Sequence, residues 1–68
     1  MEVNVRRLKE LRRLRALSQE ELAEESGVGR ATISRIERGE TGAQGRTLRR
    51  LAKALGVDVA ELVAKGEN

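Results

Sequence analysis

With 68 residues, no cysteine and no histidine, the chain has room for one small core, holds no disulfide or thiolate or imidazole metal site, and lacks the commonest general base. Aromatic residues are absent too, so a 38% hydrophobic fraction must build its core from Leu, Ile, Val and Ala. The net charge is +3 and eleven of the 14 cations are Arg, the side chain suited to bidentate contact with phosphate and guanine, which points to an anionic partner.

Met1 to Asn4 offers little to anchor it. Val5, Leu8 and Leu11 then recur at helical intervals and predict a first helix over Val5–Ala16, with Leu8 and Leu11 inward and Leu17 closing its end. Arg6, Arg7, Arg13 and Arg15 decorate the outside, a solvated face that can pair with the Glu-rich segment that follows. Ser18 followed by Glu21 is a capping box: the hydroxyl accepts an orphan helical N–H and the carboxylate reaches back to the cap. A second helix therefore starts at Gln19 and stops at Gly27, which adopts a left-handed conformation without a Cβ clash. Glu20, Glu21, Glu24 and Glu25 suit the positive end of that helix, and their spacing does not converge on one point as a metal or acid–base site would require.

Gly29 can cap a third helix running to Arg38. At 100° per residue, Thr32, Ile33, Ile36 and Glu37 share one side, and Arg30, Ala31, Ser34, Arg35 and Arg38 the other. The first side is a core stripe. The second, small and cationic with no carboxylate, suits a DNA groove. Two short helices, a glycine turn between them, small Ala23 at their crossing and Val28, Ile33 and Ile36 in the angle make a helix-turn-helix, whose second helix enters the major groove. Arg30, Ala31, Ser34 and Arg35 are the residues expected at base edges, with Ala31 placed to meet a thymine methyl.

After Arg38 the stretch GETGAQG leads to a fourth helix, expected over Thr47–Leu55, with Leu48, Leu51, Ala52 and Leu55 on one face and Arg49, Arg50 and Lys53 on the other. Arg46 near a helix N-terminus opposes the dipole unless a phosphate sits beside it, which marks Gln44 and Arg46 as candidate backbone contacts. Gly56 ends the helix. Asp58 is expected to cap a last helix over Val59–Lys65, stopped by Gly66. The sum is five helices in one all-α domain over residues 1–68, with its core at about 5–64 and no strand signal. No apolar run approaches the ~20 residues of a spanning helix, so no membrane partner and a cytoplasmic location are expected.

Three stretches in order, LSQEELAEESGV, TISRIERG and LAKALGVDVAELV, resemble the lambda-repressor-like, Xre-type helix-turn-helix family over Leu8–Val63. The resemblance implies a compact five-helix fold and a sequence-specific, double-stranded DNA-binding transcriptional regulator, a repressor, with no cofactor and no metal. It implies that Gln19 and the first turn of the third helix grip phosphates, joined by Arg38, Gln44 and Arg46, and that Arg12 pairs with Glu37 to set the angle of the recognition helix. Gly45 and Arg46 depart from the family pattern at the start of the fourth helix.

A single recognition helix reads too few base pairs to pick out a genomic site. The expected partner is therefore a second copy, weakly bound without DNA, through the apolar residues left over near the C-terminus: Val59, Leu62 and Val63, with Leu14 next. Small domains of this resemblance also serve as antitoxins or bridging factors, and such a role is the alternative. An enzyme has no nucleophile–base pair to stand on. DNA as partner makes the expected location the nucleoid.

Overall fold

Four α-helices and one 3-10 turn make up the computed structural model: α1 Val5–Leu14, α2 Gln19–Ser26, α3 Arg30–Glu37, α4 Gly45–Leu55 and the turn Val59–Glu61. It describes residues 1–64.

Each helix boundary has a local cause. The Asn4 side chain accepts the Arg7 N–H and caps α1, which ends at Leu14 rather than Ala16. Ala16 itself takes a left-handed φ of 56°. Its N–H donates to the Arg13 carbonyl at 2.8 Å and that of Leu17 to Arg12 at 3.1 Å, the helix-closing pattern usually built on glycine. At α2 both halves of the capping box are present: Ser18 Oγ accepts the Glu21 N–H, and Glu21 Oε1 accepts the Ser18 N–H. Gly27 closes that helix at φ 75°.

The core is aliphatic throughout. Leu8, Leu22, Ile33, Ile36, Leu48, Leu51 and Leu62 have no exposed surface, and burial of each such side chain contributes about 1.5–3 kcal/mol. α2 packs against both α3 and α4, while α1 braces α3. Leu14, next in the α1 periodicity, points outward and is 73% exposed.

Two further expectations are corrected. Where the last helix is expected, the described residues form a single 3-10 turn, and they hold four α-helices instead of five; the expected end at Lys65 and Gly66 lies outside the described residues. Asp58 does cap that turn, accepting the Ala60 N–H, but Leu62 then drops into the core and Val63 becomes extended. The cause is long-range: Val63 forms an antiparallel bridge with Val3, the Asn4 N–H donates to Leu62 O and the Ala64 N–H to Glu2 O, and a β-branched residue suits that pairing.

By the same contacts Met1 to Asn4 is anchored, contrary to expectation. Val3 is buried, and the Met1 and Ala43 backbones exchange hydrogen bonds at 2.8 and 2.9 Å. The start of α4, left open where Gly45 and Arg46 depart from the family pattern, falls at Gly45.

Candidate nucleic-acid interface

The interface candidates sit on α3, just beyond its end, and at the starts of α2 and α4, and their placement begins with one buried carboxylate. Glu37 closes α3 with its side chain 3% exposed. Arg12 of α1 meets it in a fork, Nε to Oε2 at 2.8 Å and Nη2 to Oε1 at 2.9 Å. The third Arg12 nitrogen, Nη1, donates to the Leu17 carbonyl at 2.9 Å. Gln19, the first residue of α2, donates its Nε2 to Glu37 Oε1 at 3.0 Å. One carboxylate thus ties together three helices and the segment between two of them. Burial pushes the Glu37 pKa up, but hydrogen bonds from Arg12 and Gln19, with the charges of Arg12 and Lys9, outweigh this and hold it below the usual carboxylate range.

With its inner side fixed in this way, α3 presents the opposite side outward. Arg30, Ala31, Ser34, Arg35 and Arg38 line one open concavity. Arg30, Ala31 and Arg35 are exposed and Ser34 is half-buried. Arg30 and Arg35 form no ion pair among the described residues.

Arg38, just beyond the helix, is engaged: Nη1 donates to Ser34 Oγ at 2.8 Å, Nε to Glu40 Oε2 at 2.8 Å and Nη2 to Glu40 Oε1 at 3.3 Å. Glu40 carries no mark in the sequence because it lies in the glycine-rich segment, outside any helical periodicity. Only the geometry puts a carboxylate at the rim of the concavity. Hydrogen bonding to Arg38, then its charge, holds Glu40 below its usual range, so Glu40 is ionised at neutral pH.

The remaining phosphate candidates fall into two settings. Gln19 is half-buried and spends one N–H on Glu37; its side-chain carbonyl oxygen and second N–H have no partner among the described residues. Gln44 is exposed and caps α4 by backbone conformation alone, with no side-chain cap bond, and Arg46 is exposed in the first turn of α4. The expected dimer seam needs a correction: Leu62 is fully buried in its own chain's core and cannot face a second copy. Val59 and Val63 are half-buried and packed against that core.

Two helices across a tight glycine turn, the second held by its inner face and offering cations outward, define a helix-turn-helix unit. The helix-turn-helix family model matches residues 8–62, and the chain belongs to that family. It is 41% identical over 61 residues to the cryptic phage CTXphi transcriptional repressor RstR of Vibrio cholerae, covering 90% of this chain and 55% of that protein. It is 45% identical over 58 residues to the uncharacterized HTH-type transcriptional regulator RghRB of Bacillus subtilis, covering 84% and 42%. The chain therefore spans about half the length of the curated relatives it matches. Among solved structures, the restriction-modification controller protein C.AhdI of Aeromonas hydrophila superposes with a TM-score of 0.80 at 38% identity, covering 84% of this chain and 86% of that one.

Proposed function

We propose that this chain binds double-stranded DNA in a sequence-specific way as a transcriptional repressor, with α3 in the major groove. The observation that carries the reading is the outward cationic face of α3, where Arg30 and Arg35 have no ion-pair partner among the described residues, held in place by the Arg12–Gln19–Glu37 knot. Arg30 and Arg35 reach guanine edges, where each bidentate contact is worth about 1–3 kcal/mol of discrimination; Ser34 and Ala31 fill the space between them, Ala31 against a thymine methyl. Gln19, Arg38, Gln44 and Arg46 grip phosphates and set the register without reading sequence. Similarity to a phage repressor supports the repressing direction. Binding to DNA puts the protein in the cytoplasm, at the nucleoid.

The binding unit is a homodimer with recognition helices about 34 Å apart, one turn of the duplex. Its seam lies at Val59 and Val63, which offer little apolar area, so the free dimer is weak and DNA completes it by holding two copies at high effective concentration. Sequencing of genomic fragments retained by the protein tests the reading: a two-fold symmetric consensus is expected, and retention without any consensus overturns it. Val63→Glu, with its folded state checked by the thermal midpoint because Val63 also packs on the core, should abolish cooperative binding to the full site while half-site binding persists. Cooperativity that survives moves the seam, with Leu14 next in line.

A further inference from the structure

The outer side of α4 carries Arg46, Arg49, Arg50 and Lys53, which line one open groove. Their spacing of three, four and seven residues from Arg46 makes a single stripe. All four are exposed. None pairs with a carboxylate among the described residues, whereas Arg7, Arg12 and Arg38 all do. The Arg49 guanidinium folds back over the start of the helix: a Cβ built on Gly45 would lie 3.5 Å from its Nη1, which brings Arg49 to the same turn as Arg46. Four like charges this close repel one another, and no ion pair among the described residues offsets the repulsion.

We infer that this stripe is a second phosphate-binding surface, by which Arg49, Arg50 and Lys53 continue the backbone contact begun at Arg46 along the duplex. The inference rests on the DNA-binding reading above. The stripe runs about 10 Å at 1.5 Å per residue, the axial rise of about three phosphates of one strand. A membrane surface fits poorly, because the apolar side of α4, Leu48, Leu51, Ala52 and Leu55, is buried in the core and leaves no residue to enter lipid. A protein partner fits poorly as well, since the stripe has no aromatic or aliphatic anchor between its cations. A continuous polyanion needs neither.

Each phosphate neutralised adds about 0.9 to the slope of log affinity against log salt. The triple variant Arg49→Ala/Arg50→Ala/Lys53→Ala, with Arg46 intact, should therefore lower that slope by about 2 to 3 units. It should weaken consensus and mixed-sequence duplexes by the same factor without lowering the thermal midpoint, since relief of the like-charge repulsion favours the folded helix. Arg49→Lys/Arg50→Lys should keep the slope, because an ammonium neutralises a phosphate as a guanidinium does. An unchanged slope in the triple variant, with the unmodified chain still binding its consensus, overturns this inference and leaves the DNA-binding reading standing. An unmodified chain with no salt-dependent DNA binding overturns both.

Discussion

The two sides of α3 use the same chemistry in opposite ways. Arg12 and Glu37 meet on its inner side, 13% and 3% exposed, and every nitrogen of the guanidinium has an acceptor. Arg30 and Arg35 on its outer side have no ion-pair partner among the described residues. The contrast shows that the type of a charged side chain says little about what it does. Burial and satisfaction make the first pair a strut, and exposure without an ion-pair partner leaves the second free to meet a ligand, which the proposed function assigns to base edges. The inner pair should govern stability, and the outer pair should govern binding with little effect on stability.

The largest effect is expected from breaking the strut. Glu37→Ala leaves Arg12 and the Gln19 amide facing a buried void where the carboxylate stood, and loss of one partner of a buried pair costs about 3 to 5 kcal/mol. Thermal unfolding of Arg12→Ala, Glu37→Ala and the double variant measures it; additive single effects would show that the pair is not coupled. Acid gives a second reading. The folded pKa of Glu37 lies below its ordinary 4.5, so between the two values the unfolded chain binds more protons and stability rises with pH. The contribution of Glu37 is complete above the unfolded value and is lost as pH falls through the folded one. Melting curves from neutral pH to below pH ~4 should show that loss, and Glu37→Gln should remove this share of the acid slope.

The outer pair gives the next largest effect, and it falls on a different quantity. Arg30→Ala and Arg35→Ala should each cost about 1–3 kcal/mol of discrimination between the consensus and a mixed-sequence duplex, with unfolding nearly unchanged. Binding isotherms on the two duplexes decide the matter. An unchanged specificity ratio would take base reading away from this face.

What was legible in the sequence follows the same division between local and distant causes. The α2 cap, the Gly27 turn and the two faces of α3 were legible because each is set by residues a few positions apart. The pairing of Arg12 with Glu37 came only through family resemblance, since no local rule links residues 25 apart. The expected C-terminal helix and the expected loose N-terminus fail together for one reason. Around the Val3–Val63 bridge the flanking residues pair their backbones, Asn4 with Leu62 and Ala64 with Glu2, and this pairing overrides the helical pattern of VAELV. The sequence leaves the start of α4 open, and just before it Ala43 is held by the Met1 backbone, a contact that no local pattern announces. Ala16 closing α1 left no sequence mark, since a left-handed alanine looks like any other.

The smallest effect tests whether the outer face is as free as its arginines suggest. Arg38 is the one cation there with a carboxylate among the described residues, and both members of the pair are more than half exposed, 57% for Arg38 and 52% for Glu40. Such a pair contributes less than about 1 kcal/mol to folding, so Glu40→Gln should leave the thermal midpoint almost in place. At the interface the consequence differs. A phosphate approaching Arg38 must displace Glu40 while feeling its charge, and Glu40 stays ionised because Arg38 holds its pKa down. Removing that charge should tighten binding to consensus and mixed-sequence duplexes alike, by a few-fold, and the gain should shrink as added salt screens the repulsion. Titration of both duplexes at low and high salt checks it. Equal affinities for Glu40→Gln and the unmodified chain at low salt would mean that Arg38 stands outside the phosphate contacts, and the outer face would then narrow to Arg30 and Arg35.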